Sequence, residues 1–82
     1  MNFILTKHAQ NRLKERGISN KLLKETLQKP TKISYDREGK ILFKKSYIKE
    51  GRNRLLLAVA EINKDKLRII TVIDTSKIKK YL

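Results

Sequence analysis

Cysteine is absent from this chain. That excludes disulfides, a thiolate nucleophile and any cysteine-based metal site. A single histidine leaves no His cluster for a transition metal, and neither a metal nor another cofactor is expected. The longest uninterrupted apolar run is Leu55 to Ala60, far short of the roughly 20 residues a membrane-spanning helix needs. The N-terminus lacks the charged-then-apolar layout of a signal peptide, which makes the cytosol the expected location. Acidic residues are scarce, 8 against 21 Lys and Arg, for a formal charge of +13. A surface charged only for solubility or heat tolerance brings Glu along with Lys. This excess instead draws in polyanions, and nucleic acid is the expected partner. No segment joins a basic face to a broad aromatic-apolar one, so a membrane surface is not expected as a partner.

What is present fits one small domain of 82 residues. Its apolar residues fall in periodic runs, which argues for a packed core despite the charge. Met1 to Leu5 is a short apolar lead-in, read as extended. Thr6 is a good N-cap for a helix that carries Ala9 and Leu13 on one side, with Arg16 next to them. His8, Arg12 and Glu15 form the adjacent stripe. Gly17 supplies the left-handed residue that ends this helix. Ser19 caps a second helix over residues 20–28, whose apolar positions are Leu22, Leu23, Thr26 and Leu27. Pro30 closes it, because the residue before a proline is pushed out of the helical region.

After Thr31 the period changes to two. Strands are expected at Lys32 to Tyr35, Ile41 to Ile48, Arg54 to Ile62 and Leu67 to Ile73, joined by polar turns at 36–40, 49–53 and 63–66. The third strand is apolar on both faces, and a strand of that kind is normally central; the fourth is also apolar on both faces except for Arg68 and Thr71. The tail from Asp74 is basic and holds Tyr81. The expected fold is α+β: an N-terminal helical hairpin packed on a four-stranded antiparallel β-meander, within a single domain 1–82. A DNA-reading helix-turn-helix is the other use of such a hairpin. The sheet that follows, and the lack of a third helix, favour a covering layer.

Metal-free RNA cleavage needs a group to take a proton, a group to give one, and a cation for the phosphoryl oxygens. His8 with Arg12 one turn later has the residue types for that work. His8 as a mere cap, and Arg12 as the partner of Glu15, is the plainer alternative. Arg52 and Arg54 flank the entry to a central strand and suit a phosphate clamp. Lys77, Lys79, Lys80 and Tyr81 form a basic tail with a ring able to stack on a base. No glycine-rich phosphate loop is present, and the scattered acids do not assemble a two-metal nuclease site.

Thr6-Lys7-His8-Ala9, Arg12, Glu15-Arg16-Gly17-Ile18-Ser19, Pro30 and Ile70-Thr71-Val72 together resemble a branch of small proteins grouped with the RelE/ParE superfamily of toxin-antitoxin toxins. The resemblance covers nearly the whole chain. It implies a compact RelE-like fold and metal-independent, often ribosome-dependent, cleavage of mRNA. It also implies neutralisation by a small acidic antitoxin. On that reading His8, Arg12, Arg54 and Tyr81 are the catalytic candidates. Arg16, Lys45, Arg52, Arg68 and Lys80 are the candidates for holding RNA. A non-catalytic nucleic-acid-binding or antitoxin-interacting module stays open beside it. So does self-association of an apolar sheet face into a homodimer.

Overall fold

The structure is a computed structural model and describes residues 2–82. The chain runs β1 (Phe3–Leu5), α1 (Lys7–Glu15), α2 (Asn20–Gln28), β2 (Lys32–Tyr35), β3 (Ile41–Lys49), β4 (Arg52–Asn63), β5 (Lys66–Thr75) and α3 (Ile78–Tyr81). The five strands make one sheet in the order β1-β5-β4-β3-β2. Strands β2 to β5 pair antiparallel, while β1 lies parallel to β5, with Phe3 beside Leu67 and Leu5 beside Ile69.

The expected helical hairpin on a four-stranded antiparallel meander is therefore corrected. The sheet is mixed and five-stranded, and three short helices pack on it. The first two do not form a hairpin unit. Helix α1 lies against β5 and β1, and α2 lies against β3 and β4. The added strand has a plain cause. Strand β5 presents main-chain groups along both edges, and each edge takes a neighbour. The three residues of β1 supply the second one, and they are too few to show a period of two in the sequence.

Thr6 joins three elements at this edge. Its Oγ1 accepts the Ala9 N–H as the cap of α1, and the same hydroxyl donates to the Ile70 carbonyl at 2.9 Å. Its own N–H donates to the Ile69 carbonyl at 3.1 Å. Ile70 is the extra residue of a bulge, because Val59 pairs with Thr71 while Ala60 pairs with Ile69. A bulge disrupts the ladder, and the hydroxyl gives the Ile70 carbonyl a partner there.

The main core lies between the sheet and the first two helices. Ala9, Leu13, Ile18, Leu23 and Leu27 meet Phe43, Leu56, Ala58, Ala60, Ile69 and Val72. Alternation along β4 sends Leu55 and Leu57 to the opposite face, where both are buried and α3 packs on β4. The basic tail is thus part of the fold. Lys44 Nζ donates to the Tyr81 carbonyl and Lys32 Nζ to the Leu82 carbonyl, which ties α3 to β2 and β3.

The β3–β4 hairpin is tighter than the expected turn at 49–53. Lys49 pairs with Arg52, leaving Glu50 and Gly51 as a two-residue loop with φ of 52° and 76°. Two successive positive φ values fit the type I′ turn that follows the twist of a hairpin. Arg52 is therefore the first residue of β4.

Candidate nucleic-acid interface

Pairing in the sheet places three side chains of the helix-covered face together. Tyr47 on β3 stands directly opposite Arg54 on β4. Asp74 on β5 is opposite Leu56, one step further along that face. Arg54 Nε donates to both Asp74 oxygens, at 3.1 and 3.2 Å, and the Tyr47 hydroxyl donates to Asp74 Oδ1 at 2.6 Å. The Asp74 side chain is only 6% exposed, so its carboxylate is held by these two donors rather than by solvent. Burial, and then the hydrogen bond to Asp74, push the Tyr47 phenol up from 10.0 to about 12. Hydrogen bonding to Asp74 also raises Arg54 above its ordinary value.

Arg54 is anchored through Nε, the one of its nitrogens that hydrogen-bonds Asp74. A guanidinium fixed by one edge presents the other to a ligand in a set orientation, the geometry that suits a phosphate. Arg54 borders a cleft of about 490 Å³, lined also by Glu15, Arg16, Lys49, Glu50, Arg52 and Asp74. One wall is the end of α1 and the other is the β3–β4 hairpin. Lys49 Nζ bridges them, reaching the Arg16 carbonyl at 3.5 Å. Gly17 lets the chain leave α1 at this point with φ of 62°.

Of the residues nominated from sequence, Arg16, Arg52 and Arg54 come together in this cleft. His8 and Arg12 are not among its lining residues. His8 is exposed on the first turn of α1. Arg12 is half-buried, 3.8 Å from Glu15, with its Nε enclosed and unpaired. Lys45 donates to the Lys29 carbonyl at 3.0 Å, at the end of α2. Arg68 pairs with Glu61 at 2.6 Å, and register sends both to the opposite face. Tyr81 and Lys80 belong to α3 on that opposite face, with the Lys80 ammonium 5.4 Å from the Tyr81 ring centre. The nominated catalytic set is therefore divided between two faces of the sheet. Sequence reasoning did not nominate Tyr47, Lys49 or Asp74. The signal for Tyr47 lay in the turn: a two-residue hairpin loop at Glu50-Gly51 puts Tyr47 opposite Arg54.

Among the described residues no group of three or more His, Cys, Asp or Glu side chains is placed to hold a metal ion. No described helix is long and apolar enough to cross a membrane. A family model, described as a domain of unknown function, DUF4258, matches residues 5–74. The chain belongs to that family. No curated protein and no solved structure matches it.

Proposed function

We propose that this member of the DUF4258 family binds RNA, seating the phosphate backbone in the cleft between the end of α1 and the β3–β4 hairpin. The observation that carries this reading is the anchoring of Arg54 on Asp74 through Nε, at a cleft that Arg54 lines together with Arg16, Lys49 and Arg52. The +13 charge of the chain adds a long-range attraction for a polyanion. Phosphate contacts of this kind give affinity and position rather than sequence choice. The cytosol is the setting this reading expects.

A second reading, metal-independent cleavage of RNA by a toxin, draws on one observation besides the resemblance. Glu15 and Glu50 line the same cleft as the arginines. A carboxylate beside a guanidinium supplies a proton acceptor and a charge stabiliser, the first two requirements for attack by a ribose 2′-hydroxyl. In that reading an acidic antitoxin acts by occupying the cations of the cleft.

Both readings are tested on single-stranded RNA in the presence of EDTA. The pure protein binds, and its affinity falls steeply as salt rises. Replacing Arg16 and Arg52 together by Ala lowers affinity by about tenfold or more and reduces the salt slope by about two. Affinity that ignores salt, or a double variant that binds like the parent, would sink the proposal. Intact RNA after incubation, with and without ribosomes, removes the second reading and leaves the first.

A further inference from the structure

Strand β2 is an open sheet edge with an uncovered face. Helix α2 sits over β3 and β4, and Ile33 and Tyr35 above β2 are 46% and 70% exposed. The direction of the backbone groups is fixed by the pairing with β3. The Asp36 N–H donates to the Lys40 carbonyl, so Asp36, Ser34 and Lys32 turn their main-chain groups inward. Ile33 and Tyr35 therefore turn theirs outward, unpaired.

We propose that two copies of this chain associate through β2, antiparallel, about a two-fold axis at Ser34, to give one continuous ten-stranded sheet. Only certain registers let outward groups meet outward groups. With Ser34 on the axis, Ile33 of each copy exchanges main-chain hydrogen bonds with Tyr35 of the other. The same register sets the Ile33 side chain beside the second copy's Tyr35 on the helix-covered face, an aromatic–β-branched pair of the kind that stabilises sheets. On the opposite face it sets Lys32, whose ammonium donates one hydrogen to the Leu82 carbonyl of its own chain and keeps two, against the second copy's Asp36, which is the charge complementarity that selects this occupant. Asp36 has a free oxygen for that contact. Its Oδ1 accepts from the Glu38 and Lys40 N–H groups, and Oδ2 has no hydrogen-bond partner among the described residues. The arrangement is self-complementary, as a two-fold interface must be.

Salt separates this association from RNA binding. Two chains of +13 repel, and screening relieves that repulsion, so the dimer tightens as salt rises. RNA binding does the reverse. Sedimentation of RNA-free protein across salt and protein concentration reads this directly. A chain that stays monomeric at every salt concentration overturns the proposal.

Register is read by cross-linking, which the cysteine-free sequence makes clean. Ser34 faces Ser34 of the second copy in a non-hydrogen-bonded position with Cα atoms about 4.5 Å apart, within disulfide range. The two Ile33 positions lie about 7–8 Å apart, outside it. Ser34→Cys is expected to form an oxidised dimer and Ile33→Cys is not. A Ser34→Cys chain that stays single, or an Ile33→Cys chain that links as readily, overturns it. Lys32→Glu removes repulsive net charge yet places like charges across the axis twice. It is expected to weaken the dimer by about tenfold. A tighter dimer would show that only net charge matters.

Discussion

Two cations on adjacent strands point to opposite faces of this sheet, and their partners differ. Arg54 on the helix-covered face is anchored to a buried carboxylate. Lys44 on the other face is almost as buried as a core residue, and its ammonium donates to a main-chain carbonyl of α3. The first arrangement engages one nitrogen of a guanidinium that lines a cleft. The second directs the ammonium toward closing the fold. A count of basic residues treats the two lysine- and arginine-bearing strands alike. The partner decides which cation is available to a ligand.

That contrast breaks most sharply at Asp74. In Asp74→Ala, Arg54 loses its anchor and the Tyr47 hydroxyl loses its acceptor. Leaving that hydroxyl unsatisfied costs about 1–3 kcal/mol. Melting temperature is expected to fall by about 4–8 °C for each kcal/mol, alongside weakened RNA binding. A variant that melts and binds like the parent would show that the cluster anchors nothing.

A smaller effect sharpens the same point through pH. The Tyr47 phenol is pushed from 10.0 to about 12, so the folded state favours its protonated form. The stability this confers is fully present below pH 10 and drains away as pH rises from 10 to about 12. Denaturant titrations across that window are expected to show a loss that Tyr47→Phe lacks. Equal slopes for the two proteins would contradict the assignment.

The smallest effect belongs to the other face. Lys44→Met keeps the volume and removes a buried charge with a neutral partner, an exchange that is often neutral or stabilising. Stability is expected to stay within about 1 kcal/mol of the parent or rise, and RNA affinity to change by less than about threefold. A large loss of RNA binding would move the ligand-facing cations to this face.

How legible these features were depended on the distance between partners. The caps at Thr6 and Ser19 are local, and α1 and α2 begin where those residues say. Residues 1–5 read as extended, but the parallel pairing of β1 with β5 was not legible, since three residues carry no period. Helix α3 is four residues in a basic tail, held by lysines far back in the chain. At the site, Arg16, Arg52 and Arg54 stood out by residue type. Asp74 read as the start of the tail, and Tyr47 was one residue of an expected strand. Their tie to Arg54 exists only once register aligns three strands.

The double duty of Thr6 has a consequence for the order of events during synthesis. The first helix takes its cap from a residue whose hydroxyl and N–H are both engaged by Ile69 and Ile70. Those partners are made more than sixty residues later. A nascent chain therefore carries α1 with its apolar side uncovered, and its start unfastened, until β5 has left the ribosome. Asp74 lies in that same last strand, so Arg54 waits for the same moment. The chain acquires its closed edge and its aligned cation together, once β5 is in place.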